Sequence, residues 1–223
     1  MNIFALSQNP VEAARQMLDK HIVKMPTETC QMLHTNELYF QFIAVHQREP
    51  SLKDLKKFHA EIDSDLMKPA MLNHPSTIWA RQSMHNTKWL FEHGRALCEE
   101  YTYRYGKVHG TQSRINAIYS HYLQSASWKK ATPVTIAMDD KYCINADEFH
   151  NTQRIQYGKQ TDDWDFVVES YRHYYLEGKW RFAEWRKNRR PDWFPANQYA
   201  IKYNEEVDRY NRIHGANFKR IAL

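Results

Sequence analysis

The chain has 223 residues, of which 42% are hydrophobic and 26% are charged, the composition of an ordinary globular protein with a buried core. No apolar run approaches the roughly 18 residues that a membrane-spanning helix needs, and the apolar residues 1–6 are too few for a signal peptide. The net charge of +5 permits a polyanionic partner. These features exclude an integral membrane protein and predict a cytoplasmic location. The three scattered cysteines, Cys30, Cys98 and Cys143, have no metal-type spacing, so neither a metal nor a cofactor is predicted.

Helical signals run through the first half of the chain. Residues 9–12, Asn-Pro-Val-Glu, predict a capped helix start, and this helix is expected to reach about residue 25, where Pro26 must break or kink it. A second helix is predicted over 27–45, and Ser51 with Asp54 marks the start of a third.

The second half of the chain is less regular. The longest helix is predicted over 76–105, with Gly106 ending it, and further helices are predicted over 112–123, 164–187 (loosened at Gly178) and 203–213. Residues 125–160 have no helical period and contain a strand-like run at 132–136. The sequence therefore predicts a mainly α fold, a single compact helical domain over residues 1–223 with an irregular excursion near 125–160.

Positive charge is concentrated in residues 179–202, which we call the basic segment. Seven Lys and Arg residues stand there against Glu184 and Asp192, so the segment's net +5 equals the excess of the whole chain. Interleaved Trp and Phe residues could stack on bases while the cations neutralise phosphates. A solvated basic helix face is the alternative interpretation. The predicted DNA contacts are His74 and Arg81, at the start of the long helix, and from the basic segment Arg186, Lys187, Arg189, Arg190 and Trp193.

Two groups of polar residues are candidates for chemistry. His21, Lys24 and Glu28 follow one another at helical spacing and offer an imidazole, an amine and a carboxylate. The alternative is a surface Lys24–Glu28 ion pair beside a half-buried His21. A second group, which we call the polar stripe, places Asn86, His93 and Glu100 seven residues apart on the apolar face of the long helix. Its members either line a pocket or bond to the helix opposite.

Two short motifs resemble those of a known family. Asp19-Lys20-His21, followed by Glu28 seven residues after the histidine, is similar to the first helix of the phage pyrimidine-dimer DNA glycosylases, the endonuclease V family. Residues 190–194, Arg-Pro-Asp-Trp-Phe, resemble the carboxy-terminal segment of that family. The resemblance implies a compact helical fold that flips a base of double-stranded DNA, in the host cytoplasm if a phage encodes the chain.

The resemblance also implies a mechanism with named parts. In the family an amino-terminal amine attacks the sugar carbon and forms a Schiff base, while a glutamate stabilises charge and moves protons. Carried over, Glu28 takes the role of the glutamate and His21 that of a supporting histidine. The family begins Thr-Arg after removal of methionine, whereas this chain begins Met1-Asn2, and Thr27 stands where the family has an arginine.

The nucleophile and the reaction therefore stay open. The candidates for the nucleophile are the amine of Met1, the amine of Lys24, or no protein group at all. The leading prediction is a DNA glycosylase with lyase activity. The alternatives are a base-hypermodifying enzyme that transfers a small amine co-substrate to an activated thymine, and a DNA-binding protein without chemistry.

Overall fold

The computed structural model describes residues 2–122, 131–144, 153–155 and 158–223, and within them the fold is mainly helical, as predicted. In these ranges no helix is long and apolar enough to cross a membrane. A short antiparallel pair of strands accompanies the helices. The elements are α1 (Pro10–Arg15), α2 (Asp19–His46), α3 (Leu52–Glu61), α4 (Pro75–Gln82), α5 (Met84–Tyr105), α6 (Gln112–Tyr122), β1 (Gln153–Ile155), β2 (Gly158–Gln160), α7 (Trp164–Tyr174) and α8 (Gln198–His214).

The first break in the helices does not lie at the proline. Pro26 sits inside α2, and the chain instead breaks at residues 16–18, where Leu18 is extended. The predicted helix ends at Pro26 are therefore wrong. The carbonyls that this break exposes are bonded by distant side chains, because Arg104 donates to the carbonyls of Arg15 and Met17 and Trp185 donates to that of Gln16. Tertiary hydrogen bonds thus offset the helical bonds that the break removes.

The predicted long helix is divided into α4 and α5 at Ser83. The backbone of Ser83 is extended, and its hydroxyl accepts a hydrogen bond of 3.1 Å from the amide of Asn86. The hydroxyl of Thr87 donates to the carbonyl of Ala80 in the last turn of α4 at 2.7 Å. Ser83 therefore works as an internal N-cap. Gly106 ends α5 with a φ of 67°, as predicted.

Helix α5 is the centre of the helical packing. It crosses α1 and α2 and also contacts α4 and α6. The approach to α2 requires a glycine, since a Cβ at Gly94 would lie 2.7 Å from the methyl group of Thr29. A smaller apolar cluster joins α3 to the middle of α2 and contains Leu38, Phe42, Leu55, Phe58 and Leu72.

The region of the predicted excursion lies only partly within the described residues, namely 131–144, 153–155 and 158–160. There Ile136 and Lys159 exchange two backbone hydrogen bonds beside the β1–β2 pair. The next helix, α7, ends at Tyr174 rather than near residue 187. It continues as a single π-helical turn over Tyr175–Lys179, the region that Gly178 was predicted to loosen, and α8 begins five residues before its predicted start.

Candidate active site

The carboxylate of Glu28 is bonded on both of its oxygens. The backbone amide of Asn2 donates to its Oε2 at 3.1 Å, and Lys24 Nζ lies 2.9 Å from its Oε1. The Glu28 side chain is 14% exposed, whereas that of Lys24 is 68% exposed. The carboxylate therefore lies at the edge of the core, between the amino-terminal segment and an amine that reaches solvent.

The amino-terminal segment is fixed by residues from the second half of the chain. The side-chain amide of Asn2 donates to the carbonyl of Ala137 at 3.1 Å, and the hydroxyl of Tyr171 on α7 donates to Asn2 Oδ1 at 2.9 Å. Tyr171 is fully buried. These contacts hold Asn2 against Glu28. Sequence reasoning missed Asn2, Ala137 and Tyr171, since no short spacing connects them.

His74 is the third titratable group near this carboxylate. Its ring caps α4 by accepting a hydrogen bond of 3.2 Å from the amide of Ser76. Burial lowers the pKa of His74, the positive amino terminus lowers it further, and Glu28 opposes both effects. The sequence predicted a phosphate contact for His74; the structure places it within electrostatic reach of Glu28 and the amino terminus.

His21 is part of an aromatic cluster. Its Nδ1 lies 2.6 Å from the hydroxyl of Tyr175, and its ring stacks on Phe4 with 4.1 Å between centroids. Burial, helped by Lys179 and Lys24, lowers the pKa of His21 to about 3, so the imidazole is neutral at neutral pH. Burial also raises the pKa of Tyr175 well above its usual value, which keeps the phenol protonated as the donor.

The aromatic cluster connects His21 to Glu28 through the backbone of the amino-terminal segment. Two helical turns separate His21 from Glu28, a rise of about 10 Å along α2. Phe4, on which the imidazole stacks, follows Asn2 by two residues. His21 and Tyr175 therefore support the segment whose amide bonds Glu28. Tyr175 carried no signal in the sequence, since it lies 154 residues from its partner.

The polar stripe is buried and bonded to protein groups. Asn86 donates to the carbonyl of Trp79 and accepts from the amide of Thr132, both at 3.0 Å. His93 Nδ1 pairs with the carbonyl of Pro10 at 2.9 Å, and burial lowers the pKa of His93 to about 4. Glu100 accepts from Arg104 at 2.8 Å. Asn86 and His93 thus bond to residues outside α5, Glu100 bonds to Arg104 of the same helix, and Nε2 of His93 is buried with no hydrogen-bond partner among the described residues.

Arg104 is the hub of a buried ionic network, which sequence reasoning missed. Its side chain has no exposure and lies 2.9 Å from Asp19 and 2.8 Å from Glu100. Two arginines of the basic segment join the same carboxylates from outside. Arg186 Nε lies 3.6 Å from Asp19, and Arg189 Nε lies 3.1 Å from Glu100. Part of the basic charge is thus neutralised within the fold.

The other predicted DNA contacts divide into two kinds. Lys187 and Arg190 are exposed and have no ion-pair partner among the described residues. Trp193 is half-buried, and its indole donates to the side chain of Gln16 at 2.9 Å. Arg81 donates to the carbonyl of Leu72 at 2.7 Å and lies over the ring of Tyr39. Lys187 and Arg190 are thus exposed cations, whereas Trp193 and Arg81 hold neighbouring segments.

Two lysines lie close to aromatic rings. Lys20 lies 4.7 Å from the ring of Phe182, and Lys179 lies 4.4 Å from that of Tyr174. Lys24 and Lys179 both act electrostatically on His21. Within the described residues, no group of three or more His, Cys, Asp or Glu side chains could hold a metal ion. The site thus offers a carboxylate, amines and aromatic rings.

Comparison with known proteins identifies the family. The family model described as pyrimidine dimer DNA glycosylase matches residues 1–113, which contain α1 to α5 and Glu28. No curated protein matches the chain, and no solved structure matches it. Ala137, Tyr171 and the basic segment lie beyond the matched residues. Since the match covers more than half of the 223 residues, the chain belongs to the pyrimidine dimer DNA glycosylase family.

Proposed function

We propose that this protein is a DNA glycosylase with lyase activity, which removes a damaged pyrimidine from double-stranded DNA. The observation that carries the proposal is the Glu28 carboxylate, bonded at once to the Asn2 amide and the Lys24 amine in a chain of this family. A positioned carboxylate beside an amine can stabilise the positive charge that develops when a base leaves its sugar.

The proposed reaction uses covalent catalysis by an amine. The neutral amine attacks C1′ of the sugar, the nitrogen–C1′ bond forms, and the glycosidic bond breaks as the base leaves and takes up a proton. Opening of the sugar ring gives a Schiff base. The Glu28 carboxylate first faces the cationic sugar and then accepts the proton from C2′, after which the 3′ phosphate leaves and the strand is cut.

The nucleophile that we propose is the α-amine of Met1. Met1 lies outside the described residues, but its amine is separated by one residue from the Asn2 nitrogen that bonds Glu28. An α-amine with a pKa near 8 keeps a useful neutral fraction at neutral pH. Lys24 is the second candidate; its amine forms an ion pair with Glu28 at 2.9 Å.

A second candidate function is transfer of a small amine to an activated thymine, with Glu28 as general base. The observation that favours it is the contribution of residues beyond the family match, because Ala137 and Tyr171 fix Asn2 beside Glu28. Residues beyond the part of the chain that matches the family could bind a second substrate. This reaction would need no protein nucleophile.

Nucleoside analysis tests these functions against each other. The protein is incubated with irradiated, untreated and hydroxymethyluracil-containing duplexes, and the products are measured by mass spectrometry. We expect loss of damaged pyrimidines from the irradiated duplex alone. A new amine-bearing nucleoside in the presence of an amine would establish the transferase instead. Unchanged DNA in every sample would mean that the protein binds DNA without modifying it.

The exposed cations of the basic segment provide a binding prediction. Replacing Lys187 and Arg190 together with alanine should weaken binding to any duplex sequence and reduce the dependence of affinity on salt, by a log–log slope of about 0.9 for each phosphate that the protein no longer neutralises. The melting temperature should not change, since neither side chain has an ion pair among the described residues. Binding is measured by fluorescence anisotropy over a salt series.

A charge-matched variant controls for the loss of net charge. Lys88 and Arg95 lie on the exposed side of α5 and pair with Glu92 and Glu99. Their double alanine variant should bind DNA as tightly as the unchanged protein. Equal weakening by both variants would mean that the Lys187–Arg190 pair is only a solvated basic surface.

A further inference from the structure

Helix α8 carries a mainly apolar stripe along one side. Its members follow one another at alternating intervals of four and three residues, and they are Tyr199, Tyr203, Glu206, Tyr210 and Ile213. This alternation is that of a helix which packs lengthwise against a second helix. Tyr199, Tyr210 and Ile213 are nevertheless 50%, 48% and 63% exposed. No other part of the described chain therefore covers the stripe at these three positions.

The segment 216–223 widens this apolar surface. Asn211 exchanges two hydrogen bonds with the backbone of Phe218, at 3.0 and 2.9 Å, and Asn204 does the same with Ile221, at 2.9 Å each. The segment thus runs back along α8 and is fixed by its backbone, while the side chains of Phe218 and Ile221 are 59% and 39% exposed. The rings of Tyr210 and Phe218, 5.4 Å apart, join the stripe to the segment.

Exposed apolar side chains are concentrated in this part of the chain. Six of the twelve large ones in the described residues lie on α8 or in the segment 216–223, namely Tyr199, Tyr210, Ile213, Phe218, Ile221 and Leu223. We call these six side chains and Glu206 the α8 surface. Monomeric proteins seldom leave a large contiguous apolar surface in water. The α8 surface also lies beyond residues 1–113, so the family match does not account for it.

Two charged residues on α8 indicate what covers this surface. Glu206, in the middle of the stripe, accepts from Arg181 and is 53% exposed. Arg209 borders the stripe, is exposed and has no ion-pair partner among the described residues. DNA or an anionic membrane would meet the carboxylate of Glu206 at the centre of the contact, which opposes binding. A second copy of α8 that runs in the opposite direction would instead supply Arg209.

We infer that the α8 surface pairs with the same surface of a second copy, which gives an antiparallel dimer with two-fold symmetry. In the register that the stripe sets, Tyr203 lies opposite Ile213 of the second copy, and Tyr210 lies opposite its Glu206. Arg209 then flanks that carboxylate, and the two-fold axis creates the contact twice. Each dimer carries two basic segments, because the basic segment ends within α8. The inference does not depend on the proposed function.

Sedimentation velocity over a series of protein concentrations tests the pairing. The unmodified protein should change from monomer to dimer in the micromolar range, as expected of a small interface. Ile213→Glu puts a carboxylate into the apolar contact, so it should raise the dissociation constant of the dimer at least about tenfold. It should leave the circular dichroism of the monomer unchanged. As a control, Val108→Glu adds the same charge at an aliphatic residue outside α8 that is 71% exposed, and the dissociation constant should stay the same.

Exchanging the two charges tests the antiparallel arrangement. Glu206→Arg and Arg209→Glu should each weaken the dimer, because like charges then meet across the two-fold axis. Mixing the two variants in equal amounts should restore dimers, since each variant supplies the charge that the other has lost. An effect confined to one helix would not be restored by mixing.

A protein that stays monomeric at every concentration, or a dimer that Ile213→Glu does not weaken, would overturn the inference. The same variants are also titrated with a DNA duplex and with phosphatidylserine vesicles. An Ile213→Glu variant that loses only affinity for one of these would assign the α8 surface to that partner instead. Charge variants that dimerise fully without being mixed would contradict the antiparallel pairing.

Discussion

Glu28→Gln is expected to abolish turnover on every DNA substrate, by a factor of about 10² to 10⁴ or more, while leaving affinity for the duplex within a few fold. Glutamine keeps the size and the acceptor for the Asn2 amide but removes the negative charge. The reaction then loses the negative charge that stabilises the cationic sugar, and it loses the general base that takes the proton from C2′. Binding is retained because the exposed cations Lys187 and Arg190 lie elsewhere. Single-turnover assays and anisotropy measure the two quantities separately.

The chain offers a closely matched control for this variant. Lys57 and Glu61 form an ion pair at the same spacing on α3, with the glutamate 52% exposed. Glu61→Gln removes an equal charge from an equivalent pair and should leave turnover unchanged. Full activity in Glu28→Gln would mean that Glu28 is not the catalytic carboxylate and that the motif match carries no chemistry.

Arg104→Met is expected to cause the largest loss of stability, about 3–5 kcal/mol in the free energy of unfolding. The guanidinium is wholly buried and bonds Asp19, Glu100 and the backbone at residues 15–17. Its removal takes the buried cation away from Asp19 and Glu100, which keep only Arg186 and Arg189 as ion-pair partners among the described residues, and it leaves two backbone carbonyls without this donor. Urea unfolding followed by circular dichroism measures the change.

A second arginine of α5 provides the comparison. Arg95 pairs with Glu99 at the surface, where its side chain is 53% exposed, so Arg95→Met should cost at most about 1 kcal/mol. Equal losses in the two variants would mean that the network around Arg104 contributes no more than a surface pair. The network also holds Arg186 and Arg189, so the DNA affinity of Arg104→Met should fall even where the protein remains folded.

Local chemistry made several helix ends predictable. Ser51 and Asp54 form the capping box that opens α3, and Gly106 ends α5 in the left-handed conformation. The break at 16–18 was not predictable, because its free carbonyls are bonded by Arg104 and Trp185, which lie far along the chain. The same limit applies to Pro26, since a helix tolerates a proline when packing on both sides outweighs the missing hydrogen bond.

The candidate site, like the helix ends, was predictable from the sequence only in part. The spacing of Lys24 and Glu28 predicted a pair, and the structure contains it. The polar stripe was predicted either to line a pocket or to bond to the helix opposite, and its contacts to Thr132 and Pro10 were not predictable from the spacing. These two contacts connect residues 46 and 83 positions apart, and contacts of such separation leave no periodic trace in a sequence.

Borohydride trapping on irradiated duplex DNA tests the central proposal most directly. A glycosylase that works through an amine passes through a Schiff base, so reduction during turnover should join protein and DNA covalently. Peptide mapping should find the adduct on the α-amine of Met1, and Lys24→Ala should still be trapped. Release of damaged base with no trapped complex, or an adduct on Lys24 alone, would contradict the account.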